Sequence, residues 1–216
     1  MKGLLMKDLC LSFQNSRTFI LYLFISLFMA FSMDGSFIVG YTAMLMGMVA
    51  IGTVNYDEAD NGFPFLFSLP TDRKTYIREK FLYCALLETA GALFGVVIWL
   101  VTSFLKGQTV DVAGELSFII SFVVSMYIAA TAMIALQIRF GSDKSRLVLV
   151  LFYGVIFALA LFLKKVEGAE RFMHGIVSVL NQAPQLLIML CISAVLIGIE
   201  LLIYLFAVRT MEKKEF

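Results

Sequence analysis

Six long apolar stretches restrict what this sequence can fold into more than any other feature. A helix needs about 20 apolar residues to cross the hydrocarbon core of a bilayer, with a range of roughly 17–25. The stretches are Thr18–Met33, Ser36–Val54, Phe81–Leu105, Leu116–Ile138, Leu147–Leu163 and Pro184–Val208. They show almost none of the alternation expected of β-barrel strands. The sequence therefore predicts an all-α integral membrane protein with six transmembrane helices.

Composition supports this prediction and excludes some functions. Of 216 residues, 61% are hydrophobic and 15% are charged, against roughly 45–50% and about 25% in soluble domains. The formal net charge of +1 gives no reason to expect nucleic-acid binding. The three cysteines (Cys10, Cys84 and Cys191) are far apart, and the single His174 has no Cys nearby in the sequence. We therefore predict no metal site.

The distribution of Lys and Arg predicts the orientation, because cytoplasmic loops carry an excess of both. With the N-terminus inside, thirteen of the 17 basic residues are cytoplasmic: Lys2, Lys7, Arg17, Arg73, Lys74, Arg78, Lys80, Arg139, Lys144, Arg146, Arg209, Lys213 and Lys214. The outer set is Lys106, Lys164, Lys165 and Arg171. Both termini are thus predicted to be cytoplasmic, and the basic N-terminal segment is read as retained rather than as a cleaved signal peptide.

Segments outside the spans also show helical patterns. Residues 1–17 place Leu5, Met6, Leu9 and Phe13 on one helical arc, which predicts a helix lying in the inner membrane interface. The outer loop 164–183 has apolar residues at helical spacing and is predicted to form a short helix at the outer leaflet. The chain is thus divided into the interfacial helix 1–17, a transmembrane domain 18–208 and a cytoplasmic tail 209–216. The turn at Asp34-Gly35 predicts that the first two spans form a helical hairpin.

The loop between the second and third spans is the most informative segment. Residues 55–80 carry nine charged residues and an apolar run containing Phe63, Phe65, Leu66 and Phe67. A chain reversal needs far fewer residues, so exposed aromatics here indicate a docking element for a soluble partner. The alternative is a solvated loop with snorkelling basic side chains. Residues 68–72 are predicted to start a helix, with Pro70 in its first turn, that continues into the third span.

This loop resembles the type-2 ABC exporter permeases, in particular the compact bacterial branch that contains the phenol-soluble-modulin exporter permeases. The matching residues are Glu58, Asn61, Gly62, Ser68, Leu69, Pro70, Arg73, Tyr76 and Lys80. The opening residues 1–5, followed by Lys7-Asp8, also resemble the start of that family, and the six-span layout matches over the whole chain.

The resemblance implies a permease half in the bacterial plasma membrane. It would pair with a second copy or a close paralogue, and an ABC ATPase subunit would bind beneath each half. Residues 58–67 would form the coupling helix, residues 1–17 the interfacial connecting helix and residues 164–183 a re-entrant helix. The residues expected to contact the ATPase are Glu58, Asn61, Phe63, Phe65, Phe67, Ser68, Leu69, Pro70 and Arg73. Amphipathic or hydrophobic peptides, such as a toxin, a modulin or an antimicrobial peptide, would be the cargo.

The chain contains no Gly-x-x-x-x-Gly-Lys-Ser/Thr phosphate-binding pattern. ATP and Mg are therefore expected to bind to the partner ATPase, and we expect neither a cofactor nor a catalytic site in this chain.

Polar and small residues inside the spans add further candidates. Glu88 and Glu200 lie in the third and sixth spans, where a charge costs about 2.5–3.5 kcal/mol at mid-bilayer. We expect a structural hydrogen bond or ion pair, with a water-filled cavity and proton coupling as alternatives. Small residues at helix-packing spacing predict close helix contacts, within one chain or across a dimer: Ala43 and Gly47, Gly91 and Gly95, and Ser121, Ser125 and Ala129.

Two other classes of membrane protein compete with the permease. A membrane enzyme would need a nucleophile–His pair, paired Asp or a His cluster in the membrane, but the only His lies in a predicted outer loop. A secondary transporter would show broken helices and internal repeats, and neither is clear. The requirement for an ATPase subunit distinguishes these classes from a permease.

Overall fold

The computed structural model describes residues 1–14, 16–33, 35–59, 62–68, 71–107, 112–165 and 185–214. Within these ranges the secondary structure is helical, without strands. The helices are α1 (Lys2–Gln14), α2 (Ser16–Ser32), α3 (Phe37–Glu58), α4 (Gly62–Ser68), α5 (Arg73–Leu105), α6 (Val112–Phe140), α7 (Ser142–Lys165) and α8 (Gln185–Lys213). The predicted outer helix within residues 164–183 falls almost entirely outside the described residues.

Four described helices are long and apolar enough to cross a membrane: α3, α5, α6 and α8. The helices α1 and α2, bent by 70° relative to one another, would together count as a fifth. Many large apolar side chains on the outside of the bundle are exposed, for example Phe24, Leu93 and Leu202 at 66–70%, as expected where lipid replaces water as the solvent. The structure thus confirms a helical protein of the membrane type, and the count of six spans stays a prediction.

The centre of the bundle is the contact between α3 and α5, and small residues make it possible. A Cβ added at Gly95 would lie 2.1 Å from the Thr42 hydroxyl and 2.8 Å from the Val39 Cα, and one at Gly91 would lie 2.8 Å from the Thr42 carbonyl. Helix backbones in lipid associate through such close approach. The predicted small-residue face at Gly91 and Gly95 is therefore used within the chain.

The other two predicted small-residue faces, one on α3 and one on α6, differ in burial. On α3, Ala43 and Gly47 are buried. On α6, Ser121, Ser125 and Ala129 are exposed, and the two hydroxyls bond to carbonyls of their own helix. This α6 face takes no part in the packing among the described residues.

Side-chain contacts separate the bundle into two ends. At one end, Lys106 donates to the carbonyl of Ala30 in the last turn of α2, 3.3 Å away, and Ser36 bonds to Glu115. At the other end lie α1, the end of α3, α4, the start of α5, the junction between α6 and α7, and the end of α8. We call this second end the polar end, because most of the basic residues predicted to be cytoplasmic lie on these elements.

The chain reverses direction at a glycine between α2 and α3. Gly35 has a φ of +89° between α2 and α3, a conformation that favours glycine. As the predicted hairpin requires, α2 and α3 are consecutive and pack on one another, but α2 does not count as a membrane span by itself.

The predicted start of the helix that continues into the third span, within residues 68–72, was wrong. The prediction placed Pro70 in the first helical turn, but Thr71 and Asp72 are not helical and α5 begins at Arg73. Asp72 is extended, with φ −77° and ψ 144°, and its carbonyl accepts the first helical hydrogen bond from Tyr76, at 3.0 Å. That conformation is the ordinary one for a residue at a helix N-cap, where Asp is favoured. From Arg73 the helix continues unbroken for 33 residues, about 50 Å at 1.5 Å per residue.

The helix predicted for residues 1–17 is present as α1, and its polar face is the buried one. Asp8 and Ser12 are buried against α5, whereas Met6 and Phe13 are 65% and 71% exposed. This arrangement leaves the apolar arc free to face lipid, as an interfacial helix requires.

Candidate functional site

The short helix α4 lies at the polar end and comes between the two central helices α3 and α5 in the chain. One side of α4 is anchored: Phe63 is 4% exposed, and its ring meets the Tyr76 ring edge to face at 5.9 Å. Phe67 meets the same Tyr76 ring at 5.9 Å and stacks on Phe63. The opposite side is open, since Phe65 is 72% exposed. The predicted aromatic run is therefore divided between an internal anchor and a free surface.

Arg73 fastens the start of α5 to the end of α8. Its guanidinium donates to the carbonyls of Met211 and Glu212, at 3.1 and 2.6 Å, and lies 5.9 Å from the centre of the Phe67 ring. Lys74 adds an ion pair with Glu212 at 3.2 Å. A guanidinium satisfies C-terminal carbonyls that have no partner within their own helix. Arg73 therefore joins α4, α5 and α8.

Glu58 holds the junction between α6 and α7. Its carboxylate accepts hydrogen bonds from the backbone N–H of Ser142, at 2.8 Å, and from the Ser142 hydroxyl. Gly141 has a φ of +82°, and a Cβ there would lie 2.7 Å from the Glu58 carboxylate. An acidic group at a helix N-terminus satisfies free N–H groups and complements the helix dipole. Glu58, predicted to contact the ATPase, instead binds Ser142 inside the chain.

Four buried or half-buried charges bind α1 to α3 and α5. Lys80 pairs with Asp8, and with Asp57 at 2.7 Å. Lys7 pairs with Asp57, and with Asp8 at 3.1 Å. We call these four residues the ion cluster. Lys80, Asp8 and Asp57 are at most 7% exposed, so their charges are stabilised by one another rather than by water.

Hydroxyl groups complete the ion cluster. The Tyr76 hydroxyl donates to Asp57 at 3.0 Å, and Lys80 donates to the Thr53 hydroxyl at 3.0 Å. Burial by itself lowers the pKa of the Lys7 ammonium, but the neighbouring carboxylates of Asp57 and Asp8 outweigh burial and raise that pKa above its ordinary value. Lys7 therefore stays charged at neutral pH.

Sequence reasoning found only part of this site. Lys7-Asp8, Tyr76 and Lys80 carry the family resemblance, and Lys7 and Lys80 also contribute to the predicted orientation, but their pairing with one another was not predicted. Asp57, which the structure places at the centre of the cluster, was not predicted at all. The available signal was the acidic pair at residues 57–58 immediately after an apolar span. The structure shows that this pair separates, with Asp57 pointing to α1 and α5 and Glu58 to α7.

Four other residues were predicted to contact the ATPase: Asn61, Ser68, Leu69 and Pro70. Ser68 is exposed, and its hydroxyl bonds to the Phe65 carbonyl at 2.7 Å. Asn61, Leu69 and Pro70 lie outside the described residues.

The two intramembrane acids are held by the bundle. Glu88 is 1% exposed, and its carboxylate lies 3.7 Å from the Cys84 sulfur and against Gly47, where an added Cβ would be 2.4 Å away. Glu200 accepts a hydrogen bond from the Thr131 hydroxyl at 3.0 Å. Each carboxyl group is thus only partly satisfied, because Glu88 Oε2 and Glu200 Oε1 have no hydrogen-bond partner among the described residues.

A bundle of long apolar helices, with a polar end that carries the short helix α4, defines a multi-pass membrane protein. The model of the ABC-2 family transporter proteins matches residues 3–212. The chain belongs to this family and is a membrane component of an ABC transporter. No curated protein and no solved structure matches it.

Proposed function

We propose that this chain is the permease subunit of an ATP-driven exporter and that α4 is its contact with the ABC ATPase. The observation that carries the proposal is the division of α4 into a buried side at Phe63 and a 72% exposed aromatic at Phe65. An anchored helix with an exposed aromatic is the form of a protein-docking element, because aromatic side chains commonly serve as the central anchors of interfaces.

The position of α4 also supports force transmission. Both rings that anchor α4 contact Tyr76, which lies on the first turn of α5. Since α5 continues unbroken to Leu105, a displacement of α4 would act directly on a helix that extends through the bundle. ATP and Mg would bind to the ATPase subunit, and the permease would receive the energy through this contact.

Further parts of the proposal extend the family assignment. We place the chain in the bacterial plasma membrane, with the polar end and both termini in the cytoplasm, because basic residues concentrate there. The transporter would contain two permease chains, either identical or closely related. An amphipathic or hydrophobic peptide is the proposed cargo, on the basis of the resemblance to the phenol-soluble-modulin exporter permeases.

The test of the docking contact is a Phe65→Ser variant co-expressed with the ABC ATPase subunit. An interface anchor contributes about 2 kcal/mol or more, so we expect the amount of ATPase that co-purifies to fall strongly. Phe104→Ser is the matched control, because Phe104 is 84% exposed at the opposite end of α5. Equal recovery of the ATPase with both variants would rule out α4 as the contact.

The orientation and the cargo need separate tests. In a background lacking the exposed Cys10 and Cys191, a cysteine at Ser68 should resist impermeant thiol reagents in intact cells, whereas one at Gly168 should react. The reverse pattern would overturn the orientation.

For the cargo, amphipathic peptides should stimulate ATP hydrolysis by the purified complex more than their scrambled, non-amphipathic counterparts. Transport that proceeds without any ATPase subunit would instead favour a secondary transporter.

A further inference from the structure

An open groove lies between the end of α6 and the end of α8. It is separate from α4, the proposed contact with the ATPase. The groove has a volume of about 590 Å³. Its rim carries three cations, Arg139 from α6 and Arg209 and Lys213 from α8, and its wall is formed by Leu202, Leu205 and Phe206. No acidic residue is among those that line it.

Among the described residues, the three cations at the rim have no acidic partner. Arg139, Arg209 and Lys213 are exposed, and none of them forms an ion pair within the part of the chain that the structure describes. The Arg139 guanidinium instead lies over the Phe206 ring, 5.1 Å from its centre. This contact holds the Arg139 guanidinium, on the basic rim, beside the apolar wall of the groove.

The basic and apolar side chains of the groove lie at the same relative depths as the headgroup and the acyl chains of a phospholipid. Arg139 directly follows the predicted fourth span, and Arg209 directly follows the predicted sixth span, so both lie where a bilayer places its phosphates. Leu202 precedes Arg209 by seven residues on α8, about 10 Å deeper at 1.5 Å per residue. An occupant must therefore present an anion at the rim and a hydrocarbon chain beneath it.

We propose that this groove binds an anionic phospholipid of the inner leaflet, with the phosphate held by Arg139, Arg209 and Lys213. The acyl chain lies along Leu202, Leu205 and Phe206. Basic sites between transmembrane helices at the cytoplasmic side are suited to anionic headgroups. An acidic protein surface would match the rim but not the apolar wall, because that wall lies at the depth of the membrane.

The test is native mass spectrometry of the full chain in neutral detergent, titrated with phosphatidylglycerol or with phosphatidylcholine. The wild-type chain should bind phosphatidylglycerol more tightly than phosphatidylcholine. In the variant R139Q/R209Q/K213Q, affinity for phosphatidylglycerol should fall at least about tenfold, since each basic residue near an anionic lipid contributes about fivefold. The variant R139K/R209K keeps the charges and should retain binding.

The matched control is K2Q/K144Q/R146Q, which removes three exposed cations from the same end of the bundle outside the groove. It should bind phosphatidylglycerol like the wild type. If the groove triple variant does not fold, R209Q alone should weaken binding by about fivefold. Equal binding by the groove and control variants, or equal binding of the two lipids by the wild type, would overturn the proposal. So would a groove variant that binds lipid normally but no longer retains the ATPase, because the groove would then be a protein contact.

Discussion

Replacing Lys80 with Met should destabilise the protein more than any other single charge removal at the polar end. Lys80 is 1% exposed and pairs with both Asp8 and Asp57. Removing one partner of a buried ion pair leaves an uncompensated charge and costs about 3–5 kcal/mol. Lys7 pairs with the same two carboxylates, but its side chain is 31% exposed. Water screens that position, so Lys7→Met should cost no more than about 1 kcal/mol.

The two substitutions are a matched pair, since each removes one ammonium from the same cluster. Their unfolding should be compared in mild detergent by thermal melting and by titration with a denaturing detergent. The raised pKa of Lys7 means that its stabilising contribution is complete below its ordinary pKa of 10.5 and is lost only above it. The comparison can therefore be made at pH 8 with this group fully charged.

A second change tests whether the cost comes from unpaired charge rather than from lost packing. The double variant D8N/K80M removes one charge of each sign and leaves Lys7 paired with Asp57. It should be more stable than K80M alone, because the buried carboxylate of Asp8 no longer lacks a cation. If K80M is no less stable than K7M, or if D8N adds to its cost, the ion cluster is hydrated and the argument from burial is wrong.

Further substitutions test other contacts. Glu58→Ala removes the acceptor at the start of α7 and should lower the free energy of unfolding by about 1 kcal/mol, measured by thermal melting. Gly95→Ala should cost about 1–3 kcal/mol by overpacking α3 against α5, whereas Gly198→Ala, with nothing within 4 Å of the added Cβ, should cost almost nothing. Glu88→Gln and Glu200→Gln should lower stability in detergent or ATPase coupling without changing which peptides stimulate hydrolysis; altered peptide selectivity at normal stability would contradict this.

Long-range periodicity and composition were sufficient to predict the helical membrane fold. The hairpin of α2 and α3 and the small-residue contact at Gly91 and Gly95 could be anticipated because both depend on local spacing. The start of α5 could not be fixed in this way. Pro70 and Asp72 are each acceptable at a helix start, and choosing between them depends on where α4 ends.

The candidate site was harder to predict because its contacts join distant parts of the chain. Asp8 and Lys80 are 72 residues apart, and Glu58 and Ser142 are 84 residues apart. Sequence alone shows that Asp57 and Glu58 are charged and near a membrane boundary, but not which partners each will meet. The divided environment of Phe63 and Phe65 likewise depends on where Tyr76 places its ring.

Tyr76 connects the proposed docking helix to the rest of the polar end. Its ring contacts Phe63 and Phe67 on α4, and its hydroxyl donates to Asp57 at the end of α3. Asp57 in turn pairs with Lys80 on α5 and with Lys7 on α1. A force applied to α4 would therefore reach both central helices and α1 through one side chain. A flexible loop would absorb a displacement of α4. Buried ion pairs and edge-to-face rings are closely packed, so they pass the displacement on to their neighbours.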